Sequence, residues 1–285
     1  MKIVTVCAMN QARSPFAHAV LQRNFPEYEI SSCGVRAILN TAISQDVVVV
    51  AKEWAVPILK KTSTSVDFDQ EEILAADLVI CADPSYKENI RAIGYEGKLV
   101  SYDEYIFDQD FMPIDPVGYR TEQLKRELAK IGALSIRATL EFAGVKAKHP
   151  IFAVIPYGTS DCELALAHAQ LERKIRGAVL IDSDLRAPIE VEAGEIGLAR
   201  VEFDCENLEC EIALGVTDAQ ILSANRHLDN PEAVFLDSEW RKWLLAIAEN
   251  QPIVLLTGPR HSKARPLPDS YFAAILADEV TVIAS

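Results

Sequence analysis

Cys7 and Arg13 bracket five residues, Ala8-Met9-Asn10-Gln11-Ala12, and Ser14-Pro15 follow at once. The cysteine closes a run of β-prone residues, Ile3-Val4-Thr5-Val6, while Ser14-Pro15 spell the cap and first-turn proline of a helix. A loop between a strand end and a helix start aims its backbone N–H groups, with the positive end of the helix, at one point. An anion belongs there. The spacing therefore predicts a cradle over residues 8–14 with a sulfur at its rim. Such a cradle favours a thiolate, and a guanidinium facing it grips two oxygens of a phosphate. The chemistry would be attack of sulfur on phosphorus. Asp115-Pro116 is a turn-forming pair. Taken singly, Cys7 also fits a core cysteine at a strand end and Asp115 a plain turn residue.

The elements that must hold these residues alternate along the first half. Strands are predicted at 2–6, 28–33, 77–82 and 98–102, and helices at 15–24, 43–54, 69–75, 84–92 and 119–143. Strands separated by helices imply parallel β-α-β units, a doubly wound α/β sheet covered on both faces, with ligands at the carboxyl ends of the strands. Gly144 and Pro150 are stop signals after the long helix, so a boundary is placed there: one domain over 1–146, a second over 151–285. The second half restarts with the strand IFAVIP, then a capping-box spelling at Ser160–Glu163 ahead of a helix to about 176, and a strand AVLID at 178–182. An alternating stretch through 189–216 predicts antiparallel strands, followed by a helix SEWRKWLLAIAEN and a strand PIVLLTG. This is an α+β or mixed α/β domain of no assigned function.

With those residues in place, the loop CAMNQARSP resembles the phosphate-binding loop of the low-molecular-weight protein tyrosine phosphatases, Cys-x5-Arg-Ser/Thr-Pro near the amino terminus. ISSCGV at 30–35, DLVICAD at 77–83 and MPIDPVG at 112–118 resemble further segments of that family, in order and at matching distances over residues 1 to about 145. The resemblance implies a flavodoxin-like phosphatase domain in which Cys7 is the nucleophile, Arg13 and the amides of Ala8 to Ser14 hold the phosphate, and Asp115 is general acid and then base. It implies too that Asn10, Ser14 and Ser32 support the loop, with the Ser14 hydroxyl stabilising the thiolate, and that no metal or cofactor takes part. Two departures stand out. The family's aromatic pair after Asp-Pro is replaced by Val117 and Gly118, and Ala12 stands where many eukaryotic members carry a second, protective cysteine.

Three functions follow from this loop: hydrolysis of phosphotyrosine or another aryl or small phosphate through a phosphocysteine, arsenate reduction with an external thiol, or non-catalytic phosphate sensing. A relay of internal thiols is disfavoured, because the related thioredoxin-coupled arsenate reductases have a further cysteine beyond the position that Cys81 resembles, where this chain has Lys87, Glu88 and Asn89. The formal net charge of −14 disfavours nucleic acid and anionic membranes as partners and leaves phosphorylated proteins or small phosphoesters. Residues 1–146 hold 16 basic and 20 acidic residues against 12 and 22 beyond, so anion chemistry is expected in the first half. The six cysteines form no CxxC pair, and the five histidines show no metal spacing. The basic stretch TGPRHSKAR at 257–265 fits a solvated loop or an anion pocket. With neither a signal-peptide pattern nor a long apolar run, the expected location is the cytoplasm.

Overall fold

The computed structural model describes residues 1–106, 111–119, 121–157, 179–182, 201–204, 209–212, 220–223, 235–236, 238–256, 272 and 274–284. The predicted capping box at Ser160–Glu163, its helix, Cys162, Cys205, His168, His227, His261 and the basic stretch 257–265 lie outside the described residues. Two compact units divide the chain, Met1–Val145 and Lys146–Ser285.

In the first unit, β1 (Lys2–Cys7), β2 (Glu29–Gly34), β3 (Leu78–Cys81) and β4 (Lys98–Ser101) form a parallel sheet in the order β2-β1-β3-β4. The helices are α1 (Arg13–Asn24), α2 (Gln45–Glu53), α3 (Gln70–Leu74), α4 (Tyr86–Ala92) and α5 (Thr121–Phe142). This is the doubly wound, flavodoxin-like arrangement. β1 is interior, with Val6 paired to Cys33 on one side and to Cys81 on the other. A strand covered on both faces needs a continuous apolar run, and Ile3, Val4 and Val6 in β1 and Leu78, Val79 and Ile80 in β3 are all buried. The chain steps to one side after β1 and to the other through β3 and β4. The carboxyl end of β1, where Cys7 sits, is thus the switch point at which such sheets bind ligands.

α5 carries Leu124, Leu128, Ile131 and Leu134 at three- and four-residue steps, and this apolar stripe is buried. α1 packs against α5 and is itself nearly enclosed, with Phe16 edge-on to Trp54 at 5.9 Å between ring centroids. Enclosure of α1 matters for chemistry, because the loop that opens it is held by a helix that cannot shift without disturbing the core.

In the second unit, β5 (Ile151–Tyr157), β6 (Val179–Asp182), β9 (Gln220–Ser223), β10 (Ile253–Leu256) and β11 (Glu279–Ala284) make a parallel sheet in the order β11-β5-β10-β6-β9. β7 (Val201–Asp204) and β8 (Glu209–Ile212) form a separate antiparallel pair, the part of the alternating stretch where the antiparallel reading is met, with Phe203 opposite Cys210. α6 (Ser238–Ala248) precedes β10. Its Trp240 and Leu244 are buried, and Trp240 meets Phe235 edge-on at 5.0 Å. The unit is mixed α/β. Among the described residues no helix is long and apolar enough to cross a membrane.

Candidate active site

α1 begins at Arg13 with Ala12 as the residue before it, so Ser14 lies inside the first turn and is not the cap that its sequence position predicts. The reason is local competition for the hydroxyl. Ser14 Oγ stands 3.1 Å from Cys7 Sγ and 3.1 Å from the Cys33 carbonyl oxygen, and can donate its one proton to either. It also accepts from Asn10 Nδ2 at 2.8 Å.

Asn10 shapes the loop between. Its φ is +53°, in the left-handed region that asparagine tolerates better than most residues, and this turns its backbone N–H onto Cys7 Sγ at 3.2 Å. Its side chain, wholly buried, donates also to Ser32 Oγ at 3.0 Å and accepts from the Thr64 N–H at 2.9 Å. Asn10, Ser14 and Ser32 are therefore in one hydrogen-bonded cluster beneath the sulfur.

The loop carbonyls are occupied from outside. Val35 N–H donates to Cys7 O at 3.0 Å, Arg36 N–H to Ala8 O at 2.8 Å and Ser44 N–H to Gln11 O at 2.8 Å. Gly34 makes that approach possible: a Cβ there would stand 2.6 Å from Ala8 O and 2.8 Å from Asn10 N. Against these engaged carbonyls, the amides of Ala8, Met9, Gln11 and Ala12 have no protein acceptor among the described residues. A row of free N–H groups beside a helix start suits an oxyanion.

Arg13, 7% exposed, donates from Nη2 to Asp115 Oδ2 at 2.7 Å and to the Tyr86 hydroxyl at 3.3 Å, and its guanidinium lies over the Tyr86 ring. Burial opposes the charge, but Cys7, Asp115 and Tyr86 together outweigh it and hold the guanidinium above its ordinary value. Asp115 lies 102 residues along the chain from Arg13, and its other oxygen accepts the Val117 N–H at 3.2 Å, an Asx turn that fixes the carboxylate. Its side chain is half exposed.

Sequence reasoning missed three participants. Tyr86 opens α4 at the carboxyl end of β3, next to β1, and the rule that ligands gather at strand ends would have pointed to it. Thr64 and Lys60 come from an irregular segment with no periodic signal. Lys60 Nζ donates to Ser32 O and, at 2.7 Å, to Thr64 Oγ1, which itself donates to Ser32 O at 3.0 Å. Burial lowers the Lys60 ammonium from its ordinary value, partly offset by Asp69. Cys33 and Cys81 are fully buried; burial pushes the Cys81 thiol up to about 12 and raises Cys33 as well. Among the described residues no group of three or more His, Cys, Asp or Glu could hold a metal ion.

A loop of this geometry at the switch point of this sheet is suited to bind an oxyanion. The sequence profile described as "Low molecular weight phosphotyrosine protein phosphatase" matches residues 2–146, just over half of the chain, and the chain belongs to that family of enzymes. It is 28% identical over 138 residues to the low molecular weight protein-tyrosine-phosphatase PtpB of Staphylococcus aureus, covering 48% of this chain and 96% of that protein. Among solved structures it is similar to Vibrio vulnificus Wzb in complex with benzylphosphonate (22% identity, TM-score 0.44, 49% of this chain and 97% of that one). It is also similar to the YwlE arginine phosphatase from Geobacillus stearothermophilus (25% identity, TM-score 0.44, 50% and 93%).

Proposed function

We propose that the protein hydrolyses phosphomonoesters through a phosphocysteine, with phosphotyrosine or another aryl or small phosphate as substrate. The observation that carries this reading is the Cys7 sulfur with two donors within reach, beside an Arg13 that donates from Nη2 to a carboxylate oxygen of Asp115. Cys7 Sγ attacks phosphorus, the S–P bond forms and the P–O bond to the leaving group breaks. Arg13 and the free loop amides hold the equatorial oxygens, and protonated Asp115 gives its proton to the leaving oxygen. Water then attacks phosphorus, Asp115 takes the proton, and the S–P bond breaks to return the thiolate and phosphate. Asp115 and a phosphate oxygen compete for one face of Arg13, so substrate binding would displace the carboxylate toward the leaving group.

Deep burial of Cys33 and Cys81 supports hydrolysis over a relay between internal thiols. The name of the PtpB relative supports phosphotyrosine, whereas Val117, 59% exposed, and Gly118 supply no ring to wall a phenyl group. Smaller or more varied leaving groups fit such a rim. A reactive thiolate suits the reducing cytoplasm.

Asp115→Asn is the test of the acid assignment. It should slow alkyl phosphates by about 100-fold and p-nitrophenyl phosphate by only a few-fold, because a good leaving group departs without a proton. An equal loss along a leaving-group series would make Asp115 structural.

Every residue given a role lies within 1–146, which we take as a self-contained catalytic domain, with 151–285 acting on substrate choice, assembly or regulation. A protein of residues 1–146 should melt cooperatively and keep aryl-phosphatase activity within about threefold of the full chain, since the two domains would each hold their own core. Insolubility or a non-cooperative melt of the short protein would disprove the boundary, and a well-folded, inactive one would put part of the site in the second half.

A further inference from the structure

The loop bearing Asp115 has no regular structure, yet it must present one carboxyl to a reacting atom. Phe111, Pro113 and Pro116 sink into the domain while Ile114, Asp115, Val117 and Gly118 face outward. Between the buried prolines, the Ile114 N–H donates to Glu127 Oε2 at 2.9 Å. Glu127 belongs to α5, is 3% exposed, and its other oxygen meets Lys130 Nζ at 3.4 Å one helical turn on. Leu124, Leu128 and Ile131 are its neighbours on the buried side of the helix.

An acidic side chain is an expensive way to fill that position, because an apolar residue of similar volume packs there without desolvating a charge. What an apolar residue cannot do is accept the amide of the residue that precedes Asp115. Lys130 compensates the carboxylate, and the carboxylate holds the loop. Since Asp115 is the next residue, a fixed Ile114 amide sets where the peptide carrying Asp115 leaves the helix surface. The Asx turn to Val117 then sets where its carboxyl points.

We propose that Glu127 is a positioning residue for Asp115, acting through the Ile114 amide and supported by Lys130; this rests on the general-acid reading of Asp115. The hydrogen bonds of Glu127 go to Ile114 and Lys130 and not to Cys7 or Arg13, so its loss should leave oxyanion binding alone and impair proton delivery. The role differs from that of a merely structural ion pair in which substrates suffer.

The test uses the full chain and a series of aryl and alkyl phosphates of rising leaving-group basicity, with vanadate as the oxyanion probe. Glu127→Ala should lower kcat about 10- to 30-fold for the poorest leaving groups and less than about threefold for p-nitrophenyl phosphate, with vanadate inhibition within about twofold of wild type. Glu127→Gln, which keeps an acceptor oxygen, should stay within about threefold of wild type along the whole series. Asp115→Asn/Glu127→Ala should be no slower than Asp115→Asn alone, since both changes remove one function. The pair Glu127→Leu/Lys130→Met removes both charges of the clamp together, and gives the same selective loss if Glu127→Ala does not fold. A uniform loss across the series, an additive double variant, or wild-type selectivity in folded Glu127→Leu/Lys130→Met overturns the proposal. A selective loss in Asp115→Asn beside a uniform one in the Glu127 variants overturns it alone, whereas a uniform loss in Asp115→Asn overturns the acid assignment and the clamp with it.

Discussion

Cys7→Ser protein is expected to turn over no aryl phosphate, yet still to bind vanadate or phosphate. The expected loss of turnover is on the order of 10⁴-fold or more, because a serine hydroxyl at neutral pH lacks the nucleophilicity of a thiolate. Binding survives for a separate reason. The loop is held from below by the bonds of the Asn10 side chain to Ser32 and Thr64 and at its carbonyls by Val35, Arg36 and Ser44, and none of these bonds involves the sulfur. Ser14 can keep its bond to the Cys33 carbonyl. Steady-state kinetics and titration calorimetry with phosphate on the same preparation separate the two outcomes. Retained turnover would end the covalent mechanism; lost binding in a folded protein would mean that the sulfur itself holds the loop open.

Arg13→Lys should cost about 100- to 1,000-fold in kcat/KM toward p-nitrophenyl phosphate, although the formal charge is unchanged. A guanidinium is planar and offers parallel N–H groups to two oxygens, whereas an ammonium is a point donor. Arg13 also serves two protein partners from Nη2, Asp115 and Tyr86, with the ring of Tyr86 beneath it. A lysine in that place loses the stacking and cannot reach both partners and a phosphate together. Phosphate affinity should fall with turnover, in contrast to the cysteine variant. Wild-type kinetics in Arg13→Lys would contradict the clamp, and a loss confined to turnover would place Arg13 at the leaving group.

Much of this site is local in sequence. A β-prone run, a short polar loop and a helix start are neighbours along the chain, so the order β1, loop, α1 is legible from residues 2–24 alone. Alternating strand and helix patterns likewise imply the parallel sheet, because parallel strands require a crossover between them. The boundaries of β1 to β4 agree with that reading to within a residue or two. Ser14 shows its limit. Ser-Pro before a helix spells a cap, but the hydroxyl is drawn to Cys7 and the Cys33 carbonyl once β2 lies beside β1, and the helix starts earlier.

The chain by itself therefore determined the type of sheet and pointed to the proposed nucleophile and its cradle, since each depends on residues close in sequence and on hydrophobic periods that any backbone must obey. Asp115 was legible only as an Asp-Pro turn until the resemblance gave it a role. The tertiary structure alone decided which distant groups complete the site: Tyr86 and Asp115 on Arg13, Thr64 and Lys60 under Ser32 and Asn10, and Glu127 on the Ile114 amide. Those contacts join segments whose meeting depends on strand order and on the paths of irregular loops. Local propensity carries no record of either, because a hydrogen bond between distant segments is set by where the whole core places their backbones.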